Sequence, residues 1–214
     1  MMISKKLNTS DNFIIILFAS LPVAIISGNF FINFYLLCIF LLFVFNVFKT
    51  NDFSWLKNKH FQILLFLYLY ICLNSLFNYY INPSFGYDGL IRSLFFLKFL
   101  ILFPAIPLFF NKREILEKIF KFWLFTIIII IIDIFFEKYY GSNILGFKSA
   151  DGTRIASFFY DENVVGSFLF SFGFITITYF LKNKLTDKYK IFFNLMLILV
   201  FFSILITGER SAFL

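Results

Sequence analysis

With 214 residues, 61% of them hydrophobic and only 14% charged, and a mean hydropathy of +0.88, the chain carries far more apolar surface than a soluble domain of this size can bury. It reads as an all-α, polytopic transmembrane bundle. Backbone polar groups in lipid must bond within their own segment, and the continuous apolar runs lack the alternation of a barrel strand. The net charge of +7 is scattered through short loops beside apolar runs and forms no basic stripe, which argues for anionic headgroups of the lipid bilayer and against nucleic acid as the partner.

A hydrocarbon core of roughly 30 Å needs about 20 helical residues. Seven stretches meet this need, residues 12–27, 30–48, 61–78, 93–110, 119–136, 164–181 and 191–207, the first and last marginally. Lys5 and Lys6 before the first run resemble the start of a signal peptide. No small-x-small cleavage site follows and another apolar segment does, so the run reads as a retained span. The first gap is a bare Gly28-Asn29 turn. The second carries Lys49, Lys57 and Lys59. The third, residues 79–92, reads as an outer loop in which Asp88 is a turn residue or, less simply, a contact for an acceptor sugar.

Lys112, Arg113, Lys118 and Lys121 surround the fourth gap, and Lys182, Lys184, Lys188 and Lys190 the sixth. The fifth, residues 137–163, is the longest outer, periplasmic loop, and its length together with Gly141, Gly146 and Gly152 suggests a site as well as a connection. Pro22, Pro104 and Pro107 fall inside spans, which membrane helices tolerate. Cys38 and Cys72 lie in apolar runs without metal-ligand spacing and read as small core residues. No internal repeat is visible, which disfavours the repeat-built transporters. Residues 1–214 read as one integral membrane domain. The last four, Ser211 to Leu214, look like the start of an eighth span, so the chain is expected to be the front of a longer protein.

Twelve of the fifteen lysines lie at the N-terminus or in alternate gaps, which makes that side cytoplasmic and puts the N-terminus inside. The arginines break this rule. Arg92, Arg154 and Arg210 fall on the opposite face, where positive charge is normally thinned out. Arg offers a permanently charged planar fork that grips phosphate or carboxylate through two bonds, so these residues point to an outward site for an anionic, phosphate-bearing substrate. Lys98 and Asp133 lie at comparable depth in neighbouring spans and either pair with each other or act separately, Lys98 snorkelling outward and Asp133 capping the outer helix end with Glu137. Trp55, Tyr79, Tyr80, Tyr139 and Tyr140 sit where interfacial aromatic belts are expected.

Two local patterns are the most specific. One runs from Arg154 through Ser157, Phe159 and Asn163 to Gly166, entering the sixth span; the other, Thr207-Gly208-Glu209-Arg210-Ser211, follows the seventh. Both resemble the signature regions of the bacterial O-antigen ligase and O-antigen polymerase superfamily. In that family the first region has an Arg, a small residue, a Phe, an Asn and a Gly, and the second a Thr-Gly-Ser-Arg-Gly type of turn. Here Ser157 stands where Gly is usual, Glu162 where Pro is usual and Glu209 where Ser is usual.

The resemblance implies a membrane glycan transferase. It would move a polysaccharide or repeat unit from an undecaprenyl-diphosphate carrier to lipid A core or a growing glycan, by inversion at the anomeric carbon and with no cofactor, nucleotide or metal. It implies that Arg154 and Arg210 hold the diphosphate, supported by Asn163, Gly166, Gly208 and Arg92. Preorganised cations aimed at developing phosphate charge suit such a step. The competing readings are that Arg154 pairs with Asp161 or Glu162 and that Arg210 anchors a helix end. The family's basic catalytic group sits in a later outer loop. The single histidine, His60, lies on the lysine side, so the catalytic residues are unknown and expected beyond Leu214. A lipid-linked glycan flippase and a non-catalytic membrane scaffold are the alternative functions.

Overall fold

The computed structural model describes residues 9–110, 112–148, 154–159, 164–183 and 187–209. Among them the regular structure is entirely helical: α1 (Thr9–Ala19), α2 (Leu21–Ile26), α3 (Asn29–Thr50), α4 (Lys59–Ile81), α5 (Pro83–Phe95), α6 (Leu97–Phe109), α7 (Arg113–Tyr140), α8 (Val165–Phe168), α9 (Phe174–Asn183) and α10 (Asp187–Thr207). Six segments are long and apolar enough to cross a membrane: α3, α4, Gly86–Phe109, α7, Val165–Asn183 and Lys188–Thr207. The first apolar run forms a shorter helix over Asn12–Ile26, interrupted at Ser20, whose hydroxyl donates to the Ile16 carbonyl. Mean hydropathy reaches 2.5 in α7 and 2.4 in α3, so insertion of these helices follows from composition alone.

Two compact units form, Ile32–Arg113 and Met1–Phe31 with Glu114–Leu214. In the first, α4 and α5 make an antiparallel hairpin. The expected outer loop over residues 79–92 is therefore helical, and Asp88 is an exposed residue of α5 rather than a turn residue. The reason is local. Asn82 leaves the helical region at φ −142°, Pro83 supplies a preset first helical residue, and Ser84 Oγ donates to Asn82 Oδ1 at 2.8 Å, so one residue suffices to reverse the chain.

Gly86 lets the two helices touch. A Cβ there would lie 2.4 Å from Tyr79 Cα and 2.6 Å from its nitrogen, both backbone atoms with nowhere to go. Gly86→Ala is therefore expected to cost about 2–3 kcal/mol by overpacking. A lowered midpoint of heat unfolding in detergent would register it; an unaltered midpoint would mean that the hairpin can open without penalty.

The second unit is organised by α7. Ile115, Ile119, Trp123, Ile127, Ile130 and Ile134 recur every three or four residues and are all buried, a single stripe facing the core. Ring pairs set the direction of its neighbours. Phe120 stacks on Tyr179 at 4.2 Å and Trp123 meets Phe172 at 4.8 Å, so α8 and α9 run antiparallel to α7. Phe180 stacks on Phe193 at 4.9 Å and Phe135 lies 6.1 Å from Phe202, so α10 runs parallel to α7. Trp123 Nε1 donates to the Phe18 carbonyl at 2.9 Å, tying the N-terminal helices to this core. Lys118 and Lys121 near the start of α7, Lys182 at the end of α9 and Lys188 and Lys190 at the start of α10 consequently share one end of the unit. Asp133, Glu137, Gly166 and Thr207 share the other.

Candidate functional site

At the end opposite Lys118, Lys182 and Lys188, α7 presents two carboxylates one turn apart. Asp133 is 0% exposed and Glu137 is 6% exposed. Burying a carboxylate is costly unless its oxygens are filled by donors, and the following loop supplies them. Asp133 Oδ1 accepts from Ile144 N at 2.8 Å and Oδ2 from Ser157 Oγ at 2.5 Å; Glu137 Oε2 accepts from Ser157 N at 2.6 Å and Oε1 from Ala156 N at 3.3 Å. Asn143 completes the arrangement. Its Nδ2 donates to the Ser157 carbonyl at 2.9 Å, and its Oδ1 accepts from Phe147 N at 2.8 Å.

Asp133 is thus engaged within its own unit. Its two oxygens are taken by the loop of its own unit, while Lys98 donates to Asn33 Oδ1 and lies 5.2 Å from the centre of the Phe99 ring.

Ser157 holds the left-handed conformation, with φ +50°. A side chain there is strained, and the bonds to Asp133, Glu137 and Asn143 over-determine it. Ser157→Ala would lose the hydroxyl bond and keep the strain, whereas Ser157→Gly would lose the bond and relieve the strain. The Gly variant is expected to be about 1 kcal/mol more stable than the Ala variant. Equal unfolding midpoints for the two would contradict the conformation.

The segment so pinned carries Arg154, which is exposed, three residues before Ser157. Ile155 N, next to it, donates to the Thr207 carbonyl at 3.4 Å. A second bridge joins the same two regions. Glu209, 4% exposed, accepts from Ser167 N through Oε2 at 3.0 Å and from Ser167 Oγ through Oε1. Gly166 leaves room for it. A Cβ at that position would sit 2.7 Å from Glu209 Oε2 and 3.1 Å from Thr207 Oγ1. Gly208, with φ +70°, turns the chain at the end of α10 so that Glu209 points back. Beyond Ser167, a π-helical stretch over Leu169–Gly173 packs against Val200 of α10 through Gly173.

Of the residues singled out in sequence, Arg154, Gly166 and Gly208 therefore meet at one end of one unit. Arg210 and Asn163, with Asp161 and Glu162, lie outside the described residues. Arg92 is exposed in the last turn of α5, in the other unit. His60 opens α4, where its N–H donates to Asn58 Oδ1 at 2.9 Å. Sequence reasoning passed over Ser167 and Asn143 and saw Glu209 only as a departure from a pattern. The spacing of Asp133 and Glu137, four apart on one helix face, was a readable signal that they work as a pair.

Compared with known family models, curated proteins and solved structures, the chain matches none.

What the arrangement does chemically follows from its parts. The buried carboxylates have their oxygens occupied by N–H and O–H donors, so they serve as fasteners of a loop. Among the described residues no group of three or more His, Cys, Asp or Glu side chains is placed to hold a metal ion. Arg154 is an exposed cation at the edge of this scaffold, as are Lys138 and Lys148. A guanidinium carried on a loop that is fixed at Ala156, Ser157 and Ile155 has little freedom to lose when it grips an anion, which is the condition for strong, bidentate recognition.

Proposed function

We propose that the chain is a membrane-embedded glycan transferase of the O-antigen ligase and polymerase type. It moves a polysaccharide or repeat unit from an undecaprenyl-diphosphate carrier to an acceptor glycolipid or growing glycan. The observation that carries this reading is that two segments some forty residues apart in sequence are joined by Ile155 N to the Thr207 carbonyl and by Ser167 to Glu209. These are the two segments that resemble the family's signature regions. The left-handed Ser157 adds support, because it stands where the family usually has Gly, the residue that such a backbone favours.

In this reading the lysine end of the bundle faces the cytoplasm of a bacterial cell, the first apolar run completes a seventh span, and Arg154 faces the extracytoplasmic side. Arg154 and Arg210 bind the carrier's diphosphate. The acceptor hydroxyl attacks the anomeric carbon from the face opposite the carrier, its proton passing to a general base. The bond from that carbon to the diphosphate oxygen breaks with its electron pair going to the phosphate. The arginines stabilise the negative charge that then develops. Glu209 and Ser167 keep the two loops in register.

Glycan profiling by gel tests the proposal, using a strain lacking the gene and the same strain complemented with the full-length protein. Loss of capped lipid A core with carrier-linked polymer retained is the expected result for a ligase, and accumulation of single repeat units for a polymerase. Unaltered glycans, or carrier-linked units trapped on the cytoplasmic side as a transporter defect would leave them, would overturn it.

A further inference from the structure

A second candidate site lies in the Ile32–Arg113 unit, far along the chain from the loops above. A cavity of about 490 Å³ opens where α3, α4 and α6 meet the turn between α3 and α4, a size that suits a small amphiphile or one chain of a lipid. Its lining is segregated. The apolar part comes from the helices, with Phe61, Phe103, Pro107 and Leu108 contributing. The polar part comes wholly from the turn, with Asp52, Ser54, Lys57 and Asn58. Because α3 and α4 are both long and apolar enough to span a membrane, the turn that ends one and starts the other sits at the level of lipid headgroups.

Two features of the turn specify a ligand. Asp52 and Lys57 put one anion and one cation in the same lining. Hydrogen bonds from the Ser54 side chain and from its N–H, the latter at 2.9 Å, hold the Asp52 carboxyl below the usual carboxylate range, so it stays charged. Trp55, also in the lining, has its ring edge-on between Phe43 at 5.3 Å and Phe61 at 4.9 Å. Its Nε1 is buried within the protein, so the ring offers the cavity its apolar surface.

We infer that this cavity holds one zwitterionic phospholipid bearing a primary ammonium, a phosphatidylethanolamine. One acyl chain lies against the helices and the Trp55 ring, the phosphate meets Lys57, and the ammonium donates to Asp52. A purely anionic headgroup would face Asp52 unfavourably. A choline headgroup has no N–H to give it.

The chain contains two tryptophans, so Trp123→Phe leaves Trp55 as the sole indole. That variant, in phosphatidylcholine vesicles, is titrated with phospholipid brominated on its acyl chain, carrying an ethanolamine, glycerol or choline headgroup. The expected result is quenching by the ethanolamine lipid that saturates at low mole fraction, with an apparent affinity about tenfold above the choline lipid. Asp52→Asn should abolish the preference, and Leu108→Phe, which shrinks the cavity, should abolish the saturation. Quenching that tracks bulk content equally for all three headgroups, or a preference for the glycerol lipid, would overturn the assignment. The unmutated chain gives an independent reading by native mass spectrometry from a mixed-lipid detergent extract. One retained ethanolamine lipid supports the proposal and none retained sinks it.

Discussion

Arg154→Lys in the full-length protein is expected to lower glycan transfer by roughly 100-fold or more while leaving expression and membrane insertion unchanged. The substitution preserves the charge, so topology and long-range attraction of the carrier are retained. What it removes is geometry. A guanidinium offers a rigid fork that bonds two phosphate oxygens at once, and an ammonium is a hydrated point charge on a flexible stem. Arg154 is exposed, on a segment held by Ala156, Ser157 and Ile155, so its loss should disturb the ligand and not the core. Transfer from carrier-linked glycan by purified protein measures this. A rate within twofold of the unmutated protein would mean that positive charge is all the position supplies, and the diphosphate grip would have to be abandoned.

Asp133→Ala should produce the largest loss of stability, about 2–4 kcal/mol, because the change strips the acceptor from two donors at once. The side chain is completely buried, and its removal leaves Ile144 N and Ser157 Oγ without partners in a place that water reaches poorly. Ser157, already in a left-handed conformation, would then be held at its backbone by Glu137 and Asn143 alone. Asp133→Asn keeps an acceptor for Ile144 N and should cost distinctly less. Thermal unfolding followed by size-exclusion chromatography checks the order, with activity expected to fall in the same sequence as the Arg154 loop loosens. An Ala variant as heat-resistant as the Asn variant would show that the loop is held by other means.

The parts of the protein that were legible in the chain are those governed by local composition. Of the seven spans expected from apolar length, six are helices long and apolar enough to cross a membrane among the described residues, and the first is a shorter helix, since crossing hydrocarbon is decided segment by segment. The turn expected at Gly28-Asn29 was nearly as plain: it falls at Ser27-Gly28, and Asn29 already opens α3. The hairpin of α4 and α5 was missed although its cause is local. Asn82-Pro83 reads as a break, and the sequence around Gly86, Tyr87, Asp88 and Gly89 looks like a loop, yet the contact between Gly86 and the Tyr79 backbone makes it a helix packed on its neighbour.

The candidate site divides along the same line. Arg154, Gly166 and Gly208 stood out as residue types in recognisable order, and charge type and order survive in one dimension. The partners of the buried acids did not. Asp133 had Lys98 as an equally plausible mate on hydropathy and depth, and Glu209 had none. Their actual donors, Ile144 N, Ser157 and Ser167, are distinguished by nothing except where folding brings them. Hydrophobic length acts through a residue's immediate neighbours and can be summed along the chain. A buried carboxylate takes whichever N–H or O–H arrives first within about 3 Å, and that distance exists only once α7, the loop after it and the end of α10 have packed.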